Sequence, residues 1–417
     1  MTPDEALARI DRCDGALHAF VRTFRPALGH GDGPTFAAKD LFDIAGYPTG
    51  GGARTPLDPA PAANSVAVQR LLDAGWRCVG KTHTVELAFG GWGTNRAVGQ
   101  PRNPWDAAAA RVAGGSSSGS AVAVAAGMCD VALGSDTGGS VRIPAATCGV
   151  VGLKPSRGLV SLSGVHPLSP PLDTVGVLAR SVAMAALALG VIAGDARPSP
   201  DVGASLRADV AGRRLAALSP DALGELHPEV ARLYAEALDR LATTGVTVEM
   251  VEGPPVLNTS FLANGRMMAG EGWRIWGRRI AEREAEMDPW IVRRFRAGAD
   301  LDDAALRQAH AQRAQDQAAF AGWMEDFDGL ISPTCPIPAP PITEVDENVS
   351  PLSRLTRAAN WLDLPAISVP CGLTDAGLPV GLQIAGRALD ETGVISLGAA
   401  FEAESGWDSR RPDLSGF

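Results

Sequence analysis

Residues 111–156 read RVAGGSSSGSAVAVAAGMCDVALGSDTGGSVRIPAATCGVVGLKPS. Two Gly/Ser clusters lie within this stretch, at 114–120 and 136–140, separated by the small apolar run AVAVAAGMCDVAL. Small side chains let backbones approach closely, so the run predicts a buried helix followed by a short strand. The clusters then fall at the ends of buried elements. Glycine reaches backbone conformations closed to other residues, and a Gly-rich loop can aim N–H groups at an oxyanion. Serine hydroxyls beside such a loop complete the parts needed for acyl transfer. A flexible linker has a similar composition, but a linker would not run on into alternating Ala and Val or into GGSVRIPA.

Outside this stretch the 417 residues are 46% hydrophobic and 20% charged, an ordinary globular composition with length for a large core. The net charge of -10 argues against nucleic-acid or anionic-membrane partners. The start, MTPDEALARIDRCDGALHAF, lacks a basic leader and an apolar signal core. No apolar run approaches the roughly 20 residues of a membrane span. The expected location is cytoplasmic. Six cysteines (Cys13, Cys78, Cys129, Cys148, Cys335 and Cys371) are scattered without C-x-x-C spacing, so neither a disulfide framework nor a zinc site is expected. The six histidines include no H-x-x-x-H pair, and no metal or other cofactor is expected. Lysine is confined to Lys39, Lys81 and Lys154. A buried lysine can become a neutral base, whereas arginine stays protonated.

Apolar spacing predicts a helix over residues 1–25, a strand, turn and Gly-rich loop over 34–52, and a helix over 65–74 ahead of a strand at 77–79. Further helices are expected over 181–193 and 227–241, with a surface connection at 196–205 and a strand at 246–251. Residues 262–327 read as mostly helical, with interleaved Arg and Glu marking solvated faces rather than an RNA surface. Strands return at 329–332, 366–369 and 380–384. Alternating short strands and helices predict an α/β fold.

Gly115-Ser116-Ser117-Ser118-Gly119 matches the G-x-S-x-G elbow of α/β-hydrolases, with Ser117 as nucleophile and Asp173 and His227 in the right order. That motif needs a strand before it, and WDAAAARVA is a poor one. An S-x-x-K arrangement is excluded, because Phe36, Cys78 and Val151 precede the lysines by three. A P-loop lacks its G-K-[ST].

A Ser–Ser–Lys relay remains, and here the sequence resembles the amidase signature family. The resemblance lies in AAKDLFDIAG around Lys39, GGSSSGSAVAVAAG, SDTGGSVRIPAATCGVVGLKPS, LDTVG, LPAISVPCG and GLPVGLQIAG, and covers most of 30–190 and 325–417. It implies a central mixed β-sheet covered by helices on both faces. It also implies one domain over 1–417, whose 195–325 stretch forms a variable, mostly helical cover. By resemblance, Ser140 matches the nucleophile, Ser116 the bridging serine in a cis peptide, and Lys39 the base. Thr137, Gly138, Gly139 and Ser140 match the oxyanion loop, and Ala88, Phe89, Gly90 and Trp92 lie beside the acyl group. Asp136, Arg142 and Ser117 read as supporting residues that brace the loop. Lys81, Lys154, His83 and His166 read as structural. Two departures are Ser118 and Asp363, where the family commonly has Gly.

The chemistry also stands on its own. A serine hydroxyl needs a base within hydrogen-bond reach, and burial lowers a lysine pKa. Asp40 and Asp43 would oppose that lowering if they faced Lys39, so they are expected to point away. The implied activity is hydrolysis of a small-molecule amide through a seryl acyl-enzyme, releasing ammonia or an amine, and a homodimer is compatible with it. Trp92, Trp361, Trp273 and Trp276 suggest an apolar or aromatic acyl pocket. The alternative is the glutamine-hydrolysing chain of a tRNA-dependent amidotransferase (its A component), which works with RNA and a partner subunit. Arg142-Ile143-Pro144 and HPLSPPLDTVG differ from the R-Q-P and F-A-S-S-L-D wording associated with those chains. A binding protein with a dead site is disfavoured by the intact Lys39, Ser116 and Ser140.

Overall fold

The computed structural model describes residues 1–194, 202–407 and 410–417. Among the described residues, eleven strands form one mixed sheet: β1 (Phe20–Leu28), β2 (Thr35–Lys39), β3 (Arg77–Thr82), β4 (Val131–Asp136), β5 (Val151–Lys154), β6 (Thr174–Ala179), β7 (Arg214–Leu218), β8 (Thr247–Val251), β9 (Gly329–Pro333), β10 (Ala366–Leu373) and β11 (Pro379–Ala385). Their order across the sheet is β1-β3-β2-β4-β6-β5-β10-β11-β9-β7-β8. The helices are α1 (Pro3–Leu17), α2 (Val66–Asp73), α3 (Ser118–Ala125), α4 (Arg142–Cys148), α5 (Val182–Ala193), α6 (Val202–Arg207), α7 (Pro220–Leu223), α8 (Pro228–Thr243), α9 (Val256–Arg283), α10 (Pro289–Arg296), α11 (Asp303–Trp323), α12 (Arg357–Trp361) and α13 (Glu391–Ser405).

The central strands explain the near-continuous apolar runs of the sequence. Every residue of β2, β4 and β6 is buried, as expected of strands covered on both faces. Period-two alternation divides them between two cores. Phe36, Ala38, Val131, Leu133, Val175 and Val177 join one cluster, whereas Ala37, Ala132 and Leu178 join the other with α3. Strand β2 runs parallel to β4, so their C-terminal ends lie side by side. Those ends carry Lys39 and Asp136, and the Gly/Ser clusters flank them. In open α/β sheets, the crevice beyond the strands' carboxyl ends is where ligands bind.

Three expectations need correction. The first helix stops at Leu17, not near residue 25: His18 takes a left-handed cap (φ 53°), and Phe20 opens β1. Asp14 Oδ1 accepts the N–H groups of Ala19 and Phe20 across this turn, and Phe20 and Phe24 favour a strand. The connection expected at 196–205 falls partly outside the described residues, and Val202–Arg207 is helical. The 195–325 stretch is also more than a cover, because β7 and β8 extend the sheet at one end. Within it, Arg278 and Glu282 make the exposed i,i+4 pair expected of a solvated face (2.8 Å). Arg279 and Arg294 instead turn inward, donating to Thr55 O and Phe89 O. Among the described residues, no helix is long and apolar enough to cross a membrane.

Candidate active site

Lys39 closes β2 and is fully buried. Its Nζ donates to Ser116 Oγ (2.7 Å) and Ser135 Oγ (2.9 Å). Burial pushes the Lys39 amine down to about 7, with Asp136 and Asp173 opposing from a distance. Asp40 and Asp43 do turn away. Asp40 pairs with Lys81 (2.8 Å) and accepts the Gly50 N–H, and Asp43 accepts the Thr49 hydroxyl and faces His166.

Ser116 follows a cis Gly115–Ser116 peptide bond at the entry to α3. Its carbonyl accepts from Val85 N and the Thr84 hydroxyl, which fixes its position. The next residue ties the two Gly/Ser clusters together: Ser117 N donates to Ser140 O (3.2 Å), and Ser117 Oγ donates to Ser135 O (3.3 Å). Ser117 thus joins the two clusters from a buried position and does not line the cavity that Ser140 lines. Asp173 is occupied by Thr137 Oγ1 and the N–H groups of Leu168 and Ser169, and His227 caps α8.

The loop from Asp136 to Ser140 is held from below by a buried network. Asp136 faces Arg142 at two oxygens (3.0 and 3.1 Å) and accepts from Asn360 Nδ2 (2.9 Å). Burial alone would raise the Asp136 carboxyl, but Arg142, Lys154 and Asn360 outweigh it and hold it well below the usual carboxylate range. Arg142 reaches further, to Thr356 O, Gln383 Oε1 and Asn360 Oδ1.

One member of the expected oxyanion loop is engaged elsewhere. Gly139 N donates to Asp136 Oδ1 (2.7 Å), so this N–H braces the loop instead of facing the cavity. The N–H groups of Thr137, Gly138 and Ser140 have no protein acceptor among the described residues. Gly139 also needs to be glycine, since φ is 122° and an added Cβ would meet Thr356 Oγ1 at 2.1 Å.

Ser140 and Gly138 line a cavity of about 310 Å³. Ala88, Phe89 and Gly90 form part of its wall. Trp92 does not. Its indole N–H donates to Asp346 O and Val349 O, and its ring packs among Val112, Ile143 and Cys335. Trp361 donates to Asp316 and Trp276 to Pro167 O, while Trp273 packs at the edge of the core; none lines the cavity. The tryptophan that does is Trp290, beside the charged side chains Arg293, Arg294, Glu347 and Arg357. The cavity wall therefore sets the apolar side chains of Phe89, Ile143, Leu168, Met268 and Trp290 beside these charged groups, in place of the tryptophans read from sequence.

Sequence reasoning missed Ser135, Asn264 and Arg357. Ser135 stood in the open, directly before Asp-Thr-Gly-Gly-Ser. Asn264 and Arg357 carry no local motif, and only tertiary packing brings them to the loop. Of the other singled-out residues, Lys154 donates to Pro155 O, and His83 is pushed down to about 4 by burial. Asp363, where the family commonly has Gly, takes a left-handed φ of 58° and pairs with Arg313 (2.5 Å). Ser118 opens α3 with its hydroxyl buried and unpartnered.

The Amidase family model matches residues 3–395. The chain belongs to the Amidase family. An Amidase-family relative, the A component of the glutamyl-tRNA(Gln) amidotransferase from Chloroflexus aggregans, is 36% identical over all of this chain and 90% of its own length. A Mycobacterium bovis protein whose name marks it provisionally as an amidase, AmiA2, is 37% identical over 92% of this chain and 81% of its own. A crystal structure of an amidase superposes with a TM-score of 0.86 at 32% identity, covering 97% of each chain. The mixed sheet with its helices is thus an Amidase-family fold.

Proposed function

We propose that this Amidase-family chain hydrolyses the carbon–nitrogen bond of a small carboxamide through an acyl-enzyme on Ser140, all of 1–417 working as one catalytic unit. The observation that carries this reading is the buried hydrogen bond between Lys39, with its pKa lowered to about 7, and Ser116, next to a cavity that exposes Ser140. In the neutral state of Lys39, the Ser116 hydroxyl donates to the Nζ lone pair. Ser116 Oγ is then free to accept the Ser140 proton as Ser140 Oγ attacks the amide carbon. Negative charge collects on the former carbonyl oxygen, within reach of the free N–H groups of Gly138 and Ser140. The carbon–nitrogen bond breaks as the proton returns through Ser116 to the departing nitrogen. Water attacks the ester by the same route in reverse, regenerating Ser140 and releasing the acid. No metal or cofactor enters these steps.

A second reading has its own support: the relatives include the A components of glutamyl-tRNA(Gln) amidotransferases at 34–36% identity. In that reading the amide is glutamine and a partner subunit takes up the ammonia. Against it stand Ile143 and the HPLSPPLD wording. Purified chain should be assayed alone against glutamine and simple aliphatic and aryl amides. Turnover of simple amides by the lone chain supports the hydrolase. Glutamine turnover that needs added partner subunits supports the amidotransferase. No turnover and no labelling of Ser140 by a fluorophosphonate defeats both.

A further inference from the structure

We propose that Arg357 is the residue that selects the substrate, and that this substrate is an amide whose acyl part carries a carboxylate a few bonds from the scissile carbonyl. The proposal rests on the amidase reading above and deepens it.

The charges around the cavity lead there. Arg294 is neutralised by Glu347 (2.6 Å), and Arg293 points to solvent while donating to Asn348 Oδ1 (2.6 Å). Arg357 has no carboxylate within ion-pair distance among the described residues, yet lines the same cavity as Ser140. It remains cationic at neutral pH: burial first, and Arg294 second, lower it only to about 10. Of the two cavity-lining arginines with no carboxylate partner among the described residues, Arg293 is exposed and Arg357 is the partly buried one. A partly desolvated guanidinium with no counter-ion is costly unless an anion completes it.

Its geometry fits such an anion. Nε donates to Ser353 Oγ (3.1 Å) and Nη1 to Phe261 O (2.9 Å), while the group lies over the Phe261 ring at 4.1 Å. These contacts fix the guanidinium plane. Of its five N–H donors, the remainder have no acceptor among the described residues. A fixed fork of free donors is the arrangement that binds a carboxylate through two parallel bonds.

Its place relative to the reacting loop fits as well. A Cβ built on Gly138 would stand 3.4 Å from Arg357 Cγ, so the arginine stem lies against the loop that carries Ser140. The same Cβ would stand 3.1 Å from Asn264 Oδ1, a fully buried acceptor with no partner. Asn264 Nδ2 donates to Thr137 O (3.1 Å), which fixes which way this amide faces. The loop thus has a free cationic fork and a free acceptor at its side, and neither suits an aliphatic or aromatic acyl chain.

The test compares glutaramate, the monoamide of a short dicarboxylic acid, with neutral valeramide as substrates of wild type, Arg357→Met and Arg357→Lys. Wild type should prefer glutaramate in kcat/KM, and Arg357→Met should lower that preference at least tenfold, with Arg357→Lys in between. A purely structural arginine would lower both substrates together and leave the ratio unchanged, which overturns the proposal. Fluorophosphonate labelling of Ser140 supplies a readout independent of turnover. Free glutarate should protect wild type from labelling and should not protect Arg357→Met. Labelling that glutarate never slows counts against Arg357 while sparing the amidase reading. Absence of labelling in wild type counts against the amidase reading itself.

Discussion

Lys39 Nζ lies 2.7 Å from Ser116 Oγ, and no carboxylate makes an ion pair with it among the described residues. The acids that act on it are committed to other partners, Asp136 to Arg142, and Asp173 to the Thr137 hydroxyl and the N–H groups of Leu168 and Ser169. That separation is what lets burial win over Coulomb attraction and make the amine available as a base near neutral pH.

Removing that amine should therefore cost several orders of magnitude in acylation. Lys39→Ala is expected to lose it outright, and Lys39→Arg nearly so, because arginine does not give up its proton near neutral pH. The wild-type rate should rise with pH through about 7, where Lys39 loses its proton, and level off above. The apparent pKa belongs to the coupled Lys39–Ser116 pair as a whole. A folded Lys39→Ala protein with near wild-type turnover would falsify the relay.

The two serine clusters make separable predictions. Ser140→Ala should abolish both turnover and fluorophosphonate labelling. Ser117→Ala should keep the label on Ser140, since Ser117 Oγ only donates to Ser135 O. Peptide mapping of the labelled site decides the matter, and a label on Ser117 would restore the elbow.

The loop between β4 and α4 hangs on the Asp136–Arg142 pair, both side chains fully buried. Arg142→Met would leave an uncompensated buried carboxylate, with an expected cost of about 3–5 kcal/mol. The pH dependence has a definite sign. The Asp136 pKa is depressed in the fold, so its contribution is present above the unfolded carboxylate pKa and fades as pH falls below it. Urea unfolding of both proteins across acid pH checks this: the gap between them should be widest near neutrality.

Much of this arrangement was legible in the chain, for physical reasons. Strands buried on both faces must be apolar throughout, so β4, β10 and β11 announce themselves. A loop that takes a left-handed turn against a packed neighbour, as Gly139 does at Thr356, needs glycine there, so 136–140 does too. The Phe20 boundary was hidden because one apolar residue serves a helix face and a strand equally well. The cavity wall was hidden for a different reason. Arg357 and Asn264 come from α12 and α9, which meet only when the long segment between them has folded back over the sheet. Tryptophan misled because a large ring that also finds a carbonyl for its N–H, as Trp92 does, is as well placed in a core as in a pocket.

Glu86 supplies the last prediction, and it concerns the turn that holds Ala88 and Phe89 against the cavity. Its side chain is buried at 1% exposure, with Oε2 accepting the Asp288 N–H at the start of α10 (2.7 Å) and Oε1 without a partner. Burial raises the carboxyl to about 7, against the opposing pull of the Asp288 N–H. A folded-state pKa above the unfolded one means that the fold binds the extra proton. The contribution is then complete below the unfolded carboxylate pKa and is lost as pH climbs through about 7. Glu86→Gln keeps an oxygen for the Asp288 N–H and removes the titration. The variant should match wild type near pH 5 and exceed it at pH 8 by up to about 3 kcal/mol. Thermal or urea unfolding at the two pH values reads this directly. A variant that is less stable than wild type at both would mean that the charged carboxylate, through Arg279 or Arg54, is the form the fold prefers.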